Sequence, residues 1–125
     1  MEKESKDNEI RTHKDLEVWT IGIELVEKIY KSSKTFPREE IYGLAAQMRR
    51  AATSVPSNIA EGAARNSRKE FIQFLYISLG SLAELETQVT IAHKLGYMTN
   101  EEQLSETVEK LRRKLLNLIK YLKNK

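Results

Sequence analysis

Arginine and lysine are the residues of this chain whose type and spacing point most directly to a chemical role. Residues 44–69 contain five basic side chains and one acid, Glu61, which leaves a local excess of four positive charges. The flat guanidinium of arginine matches phosphate, and several such groups would bind nucleic acid with strong salt dependence. The alternative is pairing with glutamates inside the folded chain. The first candidates for phosphate contact are Arg49, Arg50, Arg65, Arg68 and Lys69.

A second basic group lies at the C-terminus. Residues 110–125 contain seven bases and no acid. Cations at a helix C-terminus are favoured by the helix dipole alone, so a solvated basic face is the alternative to a nucleic-acid surface. No aromatic side chains alternate with these bases as a single-strand stacking platform requires, so we expect any binding to depend on backbone charge. The second candidates are Arg112, Arg113, Lys114 and Lys120.

Polar side chains also recur at helical spacing between residues 50 and 65. Serine and asparagine are poor helix formers, so their presence inside a helix requires a role. We interpret Asn58 and Glu61 as structural members of a hydrogen-bond network between helices or between subunits; direct contact with a ligand is the alternative. The stripe comprises Arg50, Ser54, Asn58, Glu61 and Arg65.

Glu86 and His93 both fall on the apolar face of one predicted helix. A buried charge requires a partner. We therefore expect Glu86 to form a structural ion pair across the bundle with Arg49 or Arg50, with a functional site as the alternative.

Residues for catalysis are scarce. The only histidines are His13 and His93, and the chain has no cysteine. It also lacks the Glu-x-x-His spacing of di-iron bundles, nucleophilic triads, Gly-rich phosphate loops and zinc-ligand spacings. We predict no enzyme activity, no metal and no cofactor. Without cysteine, a signal peptide or a long apolar run, the chain is expected to be cytoplasmic and not to contact a membrane.

Four helical patterns follow one another from residue 15 to residue 125. With short connections they predict an all-α, antiparallel up-down-up-down four-helix bundle of one domain. Helix two is expected to kink near Pro56, which has no N–H to donate. Capping-box sequences at Ser67 and Thr99 predict the starts of helices three and four. Residues 1–14 are highly charged and predicted to be a disordered tail.

Helices one and three carry more apolar side chains than one core face can bury. Helix one has a stripe from Leu16 to Tyr30 that includes Trp19, and a second stripe on a different face. Apolar surface left in water indicates a subunit interface, so we predict that the chain assembles with copies of itself. The residues predicted at this interface are Val18, Ile21, Leu25, Ile29, Ile77 and Ile91.

Three segments resemble a known family. They are DLEVW in helix one, YGLAAQMRRAATSVPSNIAEGAAR in helix two, and FLYISLGSLAELETQ followed by LGY in helix three. They are similar to the four-helix-bundle proteins encoded in intervening sequences of bacterial 23S ribosomal RNA genes, also called S23 ribosomal proteins. The resemblance covers residues 15 to about 121, and its most specific part is 47–62. It implies a homopentamer.

The resemblance extends to the accessory variability determinants of diversity-generating retroelements. Those relatives are basic pentameric barrels that bind nucleic acid and the retroelement reverse transcriptase. The resemblance therefore implies a non-enzymatic, homo-oligomeric accessory protein that binds RNA or DNA, although the net charge of this chain is only +3. The alternative is a protein-interaction scaffold whose basic residues are structural, partnering a reverse transcriptase or another nucleic-acid enzyme.

Overall fold

The computed structural model describes residues 12–125, in which a short 3₁₀ turn at His13–Asp15 precedes four helices. A second 3₁₀ turn, Arg38–Glu40, lies between the first two helices, and no strand occurs in the described part of the chain. The predicted all-α four-helix bundle is confirmed. The helices are α1 (Glu17–Ser33), α2 (Leu44–Ala63), α3 (Arg68–Lys94) and α4 (Glu101–Lys123).

The helices form a four-membered bundle in which each helix packs on two others. The helices α1 and α3 both contact α2 and α4, and the contact between α2 and α3 is the most extensive. Short connections make successive helices antiparallel, as predicted. One end of the bundle therefore gathers the starts of α1 and α3 and the ends of α2 and α4.

The predicted disordered tail, residues 1–14, lies outside the described residues except for 12–14. Of these three, His13 and Lys14 belong to the first 3₁₀ turn. The His13 ring meets Trp19 edge-on, with the ring centroids 5.1 Å apart. The end of this segment is thus packed against α1.

The core-facing side of α1 differs from the prediction. Val18, Ile21, Leu25 and Ile29 are buried in the core of a single chain, so their assignment to a subunit interface was wrong. The stripe with Trp19 is divided: Leu16 is buried, Trp19 and Val26 are partly buried against the core, and Ile23 and Tyr30 are exposed.

The helices α1 and α2 approach each other closely. Gly22 lies on the buried side, and a Cβ placed there would come within 3.3 Å of the Pro56 Cβ. The missing side chain lets the two helices pack closely at this point.

The helix α2 continues through Pro56 to Ala63, and it begins at Leu44 rather than at Ile41, the start of the predicted apolar pattern.

Side chains define the ends of several helices. The Ser67 hydroxyl accepts a hydrogen bond from the Glu70 N–H (3.2 Å), which confirms the predicted cap of α3. The predicted cap at Thr99 was wrong. Asn100 occupies the cap position of α4, and its side-chain amide donates instead to the Ser32 hydroxyl (2.8 Å), which ties the start of α4 to the end of α1.

Candidate nucleic-acid interface

Folding brings the C-terminal part of each basic group, residues 65–69 and 120–125, to one end of the bundle. The Arg68 guanidinium at the start of α3 donates to the Lys125 carbonyl at the end of the chain (3.2 Å). The loop after α2 and the last turn of α4 therefore share one surface. We call this surface the basic end. It comprises Arg65, Arg68, Lys69, Lys120, Lys123 and Lys125.

The opposite end of the bundle has a balanced charge. Four exposed bases there, Lys31, Lys34, Arg38 and Lys94, are matched by four glutamates. At the basic end six bases outnumber the acids Glu17, Glu61 and Glu70, so positive charge is concentrated there although the net charge of the whole chain is small. The glutamates of the opposite end are Glu39, Glu40, Glu101 and Glu102.

The exposed bases of the basic end differ in how they are engaged. Within the part of the chain that the structure describes, Lys69 and Lys120 have no ion pair or hydrogen bond. Arg65, in contrast, donates to Glu61 (3.0 Å), lies 3.6 Å from Glu70 and covers a phenyl ring. The two carboxylates neutralise much of its charge, so Arg68, Lys69 and Lys120 are the cations best placed for phosphate.

Arg49 and Arg50 lie apart from this surface, nearer the start of α2. Arg49 is half-buried; its Nε donates to the Ser33 hydroxyl (2.9 Å), and its guanidinium stacks on the Tyr30 ring at 4.8 Å. Arg50 is exposed. The structure therefore does not join these two predicted residues to the rest of the candidate site.

The expected pairing of Glu86 with Arg49 or Arg50 was wrong. Glu86 forms its ion pair with Arg112 of α4, which also contacts Glu109. The Glu86 side chain is 42% exposed, because it lies at the border between α3 and α4 rather than in the core. His93 is also exposed, and its Nε2 lies 3.7 Å from a Glu101 oxygen.

The predicted bases of α4 divide into engaged and exposed residues. Arg112 is held by two glutamates, and the Lys114 ammonium lies 3.2 Å from a Glu17 carboxylate oxygen. Arg113 and Lys120 are exposed, and within residues 12–125 neither forms an ion pair. Only these two of the four candidates present an uncompensated charge.

The polar stripe on α2 forms a network within one chain. The Ser54 and Ser81 hydroxyls are hydrogen-bonded across α2 and α3 (2.8 Å), and the Asn58 amide donates to the Ser54 hydroxyl (2.9 Å) and carbonyl. Asn58 thus joins this interhelical network through Ser54 of its own helix. Glu61 is exposed and pairs with Arg65 in the loop after α2.

Two tyrosines lie among the bases of the basic end, although the sequence indicated no alternation of aromatic side chains with the C-terminal bases. Tyr121 lies between Lys120 and Lys123 in the sequence. This aromatic residue was missed because the bases dominate the pattern of the segment. Tyr76 comes from α3, and its hydroxyl accepts a hydrogen bond from the Lys123 ammonium (3.0 Å). Only folding brings this second ring to the surface of α4.

Within residues 12–125, no group of three or more histidine, aspartate or glutamate side chains is arranged to hold a metal ion. No helix in that range is both long enough and apolar enough to cross a membrane. The predicted interface residues Ile77 and Ile91 are exposed on α3.

The chain matches a family model and solved structures. The family model described as 23S rRNA-intervening sequence protein matches residues 14–120. A crystal structure of a protein of unknown function from the S23 ribosomal protein family of Bacteroides thetaiotaomicron is 26% identical, with a TM-score of 0.75. The match covers 82% of this chain and 95% of that one. No curated protein matches the chain. The descriptions of these matches name neither an activity nor a ligand.

Proposed function

This chain belongs to the family of 23S rRNA-intervening sequence proteins, and from that premise we propose that it is a non-enzymatic accessory protein that binds nucleic acid as a homo-oligomer. The basic end is the proposed binding surface. Assembly is proposed to be pentameric, in line with the family resemblance noted from the sequence.

The observation that supports this proposal is the grouping of exposed, uncompensated cations at the basic end. Arg68, Lys69 and Lys120 come from two separate stretches of the sequence, and the bond between Arg68 and the Lys125 carbonyl places those stretches side by side. Phosphate contacts of this kind release counterions and supply affinity without base specificity. Several copies in one assembly would add their contacts through a high effective concentration.

Fluorescence anisotropy with labelled structured RNA, single-stranded DNA and duplex DNA tests the proposal. If each chain makes about three phosphate contacts, raising the salt from about 50 to about 200 mM should weaken binding by roughly 20- to 40-fold. The triple variant Arg68→Gln, Lys69→Gln, Lys120→Gln should bind more weakly and show a reduced salt dependence, while Lys123 and Lys125 of the basic end supply the remainder.

A matched control removes three charges at the opposite end through Lys31→Gln, Lys34→Gln and Arg38→Gln. These bases are exposed, so the control changes net charge equally while leaving the basic end intact. Its affinity should stay close to that of the unaltered protein. Equal weakening by both triple variants would show that net charge alone governs binding, and no binding at about 50 mM salt would refute the proposal.

The second candidate function is the protein-interaction scaffold. It is favoured by the engagement of Arg49, Arg65 and Arg112 within the chain and by the exposure of Ile77 and Ile91 on α3. Its partner would be a nucleic-acid enzyme such as a reverse transcriptase. Absence of nucleic-acid binding at low salt would leave this as the better account.

A further inference from the structure

Each exposed tyrosine at the basic end is paired with a lysine. The Tyr76 ring is 46% exposed, and the Lys123 ammonium lies 5.3 Å from its centroid. Tyr121 is 45% exposed, with the Lys125 ammonium 5.4 Å from its centroid. Each pair combines a flat ring open to solvent with a cation at its edge or face.

The two pairs flank the outer face of α4. At about 100° per residue, positions 121 and 123 lie on opposite flanks of the helix, and Lys120 and Arg113 lie between them. Because the Tyr76 ring lies beyond Lys123 on α3, the two rings are separated by at least the width of one helix, about 10–12 Å. The arrangement alternates ring, cation and ring across one continuous surface.

Such an alternation fits unpaired nucleic acid better than a duplex. Proteins that bind single strands combine cations along the backbone with aromatic rings on which successive bases stack. In a duplex the base faces are already stacked on one another and are not accessible to a tyrosine. The lysine beside each ring is within reach of the phosphate next to a stacked base.

We propose that the basic end prefers single-stranded nucleic acid, with bases stacking on Tyr76 and Tyr121 while Lys120, Lys123 and Lys125 contact phosphates. This inference rests on the proposed nucleic-acid-binding function. It adds a preference for single strands and assigns that preference to Tyr76 and Tyr121.

The test compares three labelled probes of equal length: a single strand, an abasic strand with the same phosphates, and a duplex, each with ribose and deoxyribose backbones. The single strand should bind at least about tenfold more tightly than the abasic strand. Tyr76→Leu and Tyr121→Leu should each weaken single-strand binding by about fivefold or more. Binding of the abasic strand and of the duplex should change less than about twofold.

Two further variants separate stacking from structure. Tyr76→Phe removes the hydroxyl that accepts the Lys123 hydrogen bond but keeps the ring, so it should retain single-strand affinity. Tyr42→Leu changes a tyrosine that is 95% exposed outside the basic end and should have no effect. Thermal unfolding of each variant shows whether the fold is intact.

The outcomes distinguish the two proposals. If no probe binds at low salt, both the nucleic-acid function and the strand preference fail. If all three probes bind alike and the leucine variants behave as the unaltered protein does, the stacking inference fails while the nucleic-acid function stands. Loss of single-strand binding in Tyr76→Phe as well would assign the effect to the hydrogen bond and overturn the role of the ring.

Discussion

Whether a basic residue of this bundle carries free charge depends on which carboxylates folding places beside it. Arg112 contacts Glu86 of α3 and Glu109 of its own helix, whereas Arg113, its neighbour in sequence, points to solvent. Guanidinium has five donors, so one arginine can serve two carboxylates at once. Adjacent arginines of the same chemistry therefore have different roles, one structural and one available to a ligand.

The pair between Glu86 and Arg112 should contribute modestly to stability. The Arg112 side chain is 26% exposed and Glu86 more so, which screens their attraction. We predict that Glu86→Gln lowers the free energy of unfolding by about 0.5–1 kcal/mol in urea, and that the effect nearly vanishes in an Arg112→Gln background. A loss of about 3 kcal/mol would instead indicate a fully desolvated pair.

Small residues as well as large ones determine the distances between packed helices. Gly62 near the end of α2 lies against Phe71 and Phe74, so that an added Cβ would come within 2.7 Å of the Phe74 Cβ. Gly80, in the middle of α3, has open space around it. The same residue type thus permits close packing at one site and only weakens the helix at the other.

This contrast predicts that a glycine-to-alanine substitution changes the free energy of unfolding in opposite directions at the two positions. Gly62→Ala should lower the free energy of unfolding by about 1–2 kcal/mol, because the new methyl group overlaps side-chain atoms that cannot move easily. Gly80→Ala should raise it by about 0.5–1 kcal/mol through the better helix propensity of alanine. Chemical denaturation of both variants checks the pair, and stabilisation by Gly62→Ala would contradict the close contact between α2 and α3.

On the scale of the whole molecule, charge and exposed apolar surface occupy different places. The basic end gathers the cations, while Ile77 and Ile91 lie about four turns apart on the outer side of α3. These two exposed isoleucines stay on the surface after the core has formed, and we propose that another copy of the chain covers them.

We predict that the double variant Ile77→Glu, Ile91→Glu is a folded monomer. Light scattering should give several times 14.5 kDa for the unaltered protein and about one chain mass for the variant, with unchanged helical circular dichroism. Leu25→Glu is the contrasting variant. Because Leu25 is fully buried, that change should unfold the chain rather than dissociate it. An oligomer that survives the double variant would place the interface elsewhere.

The fold and the family were predictable from the sequence because both depend on local pattern. The spacing of apolar residues at three and four shows where helices run, and the cap at Ser67 needs only its own four residues. The segment around Pro56 was distinctive enough to indicate the family that the comparison then confirmed. Each of these signals lies within a short stretch of chain.

The tertiary structure determines which of several equivalent side-chain patterns faces the core and which residues become partners. The two apolar stripes of α1 are indistinguishable by periodicity, and the buried one lies on the side where Gly22 approaches Pro56, 34 positions away in sequence. The partner of Glu86 and the position of Tyr76 beside Lys123 also depend on packing between helices. Periodicity determines which residues share a face, but only the arrangement of neighbouring helices determines what that face meets.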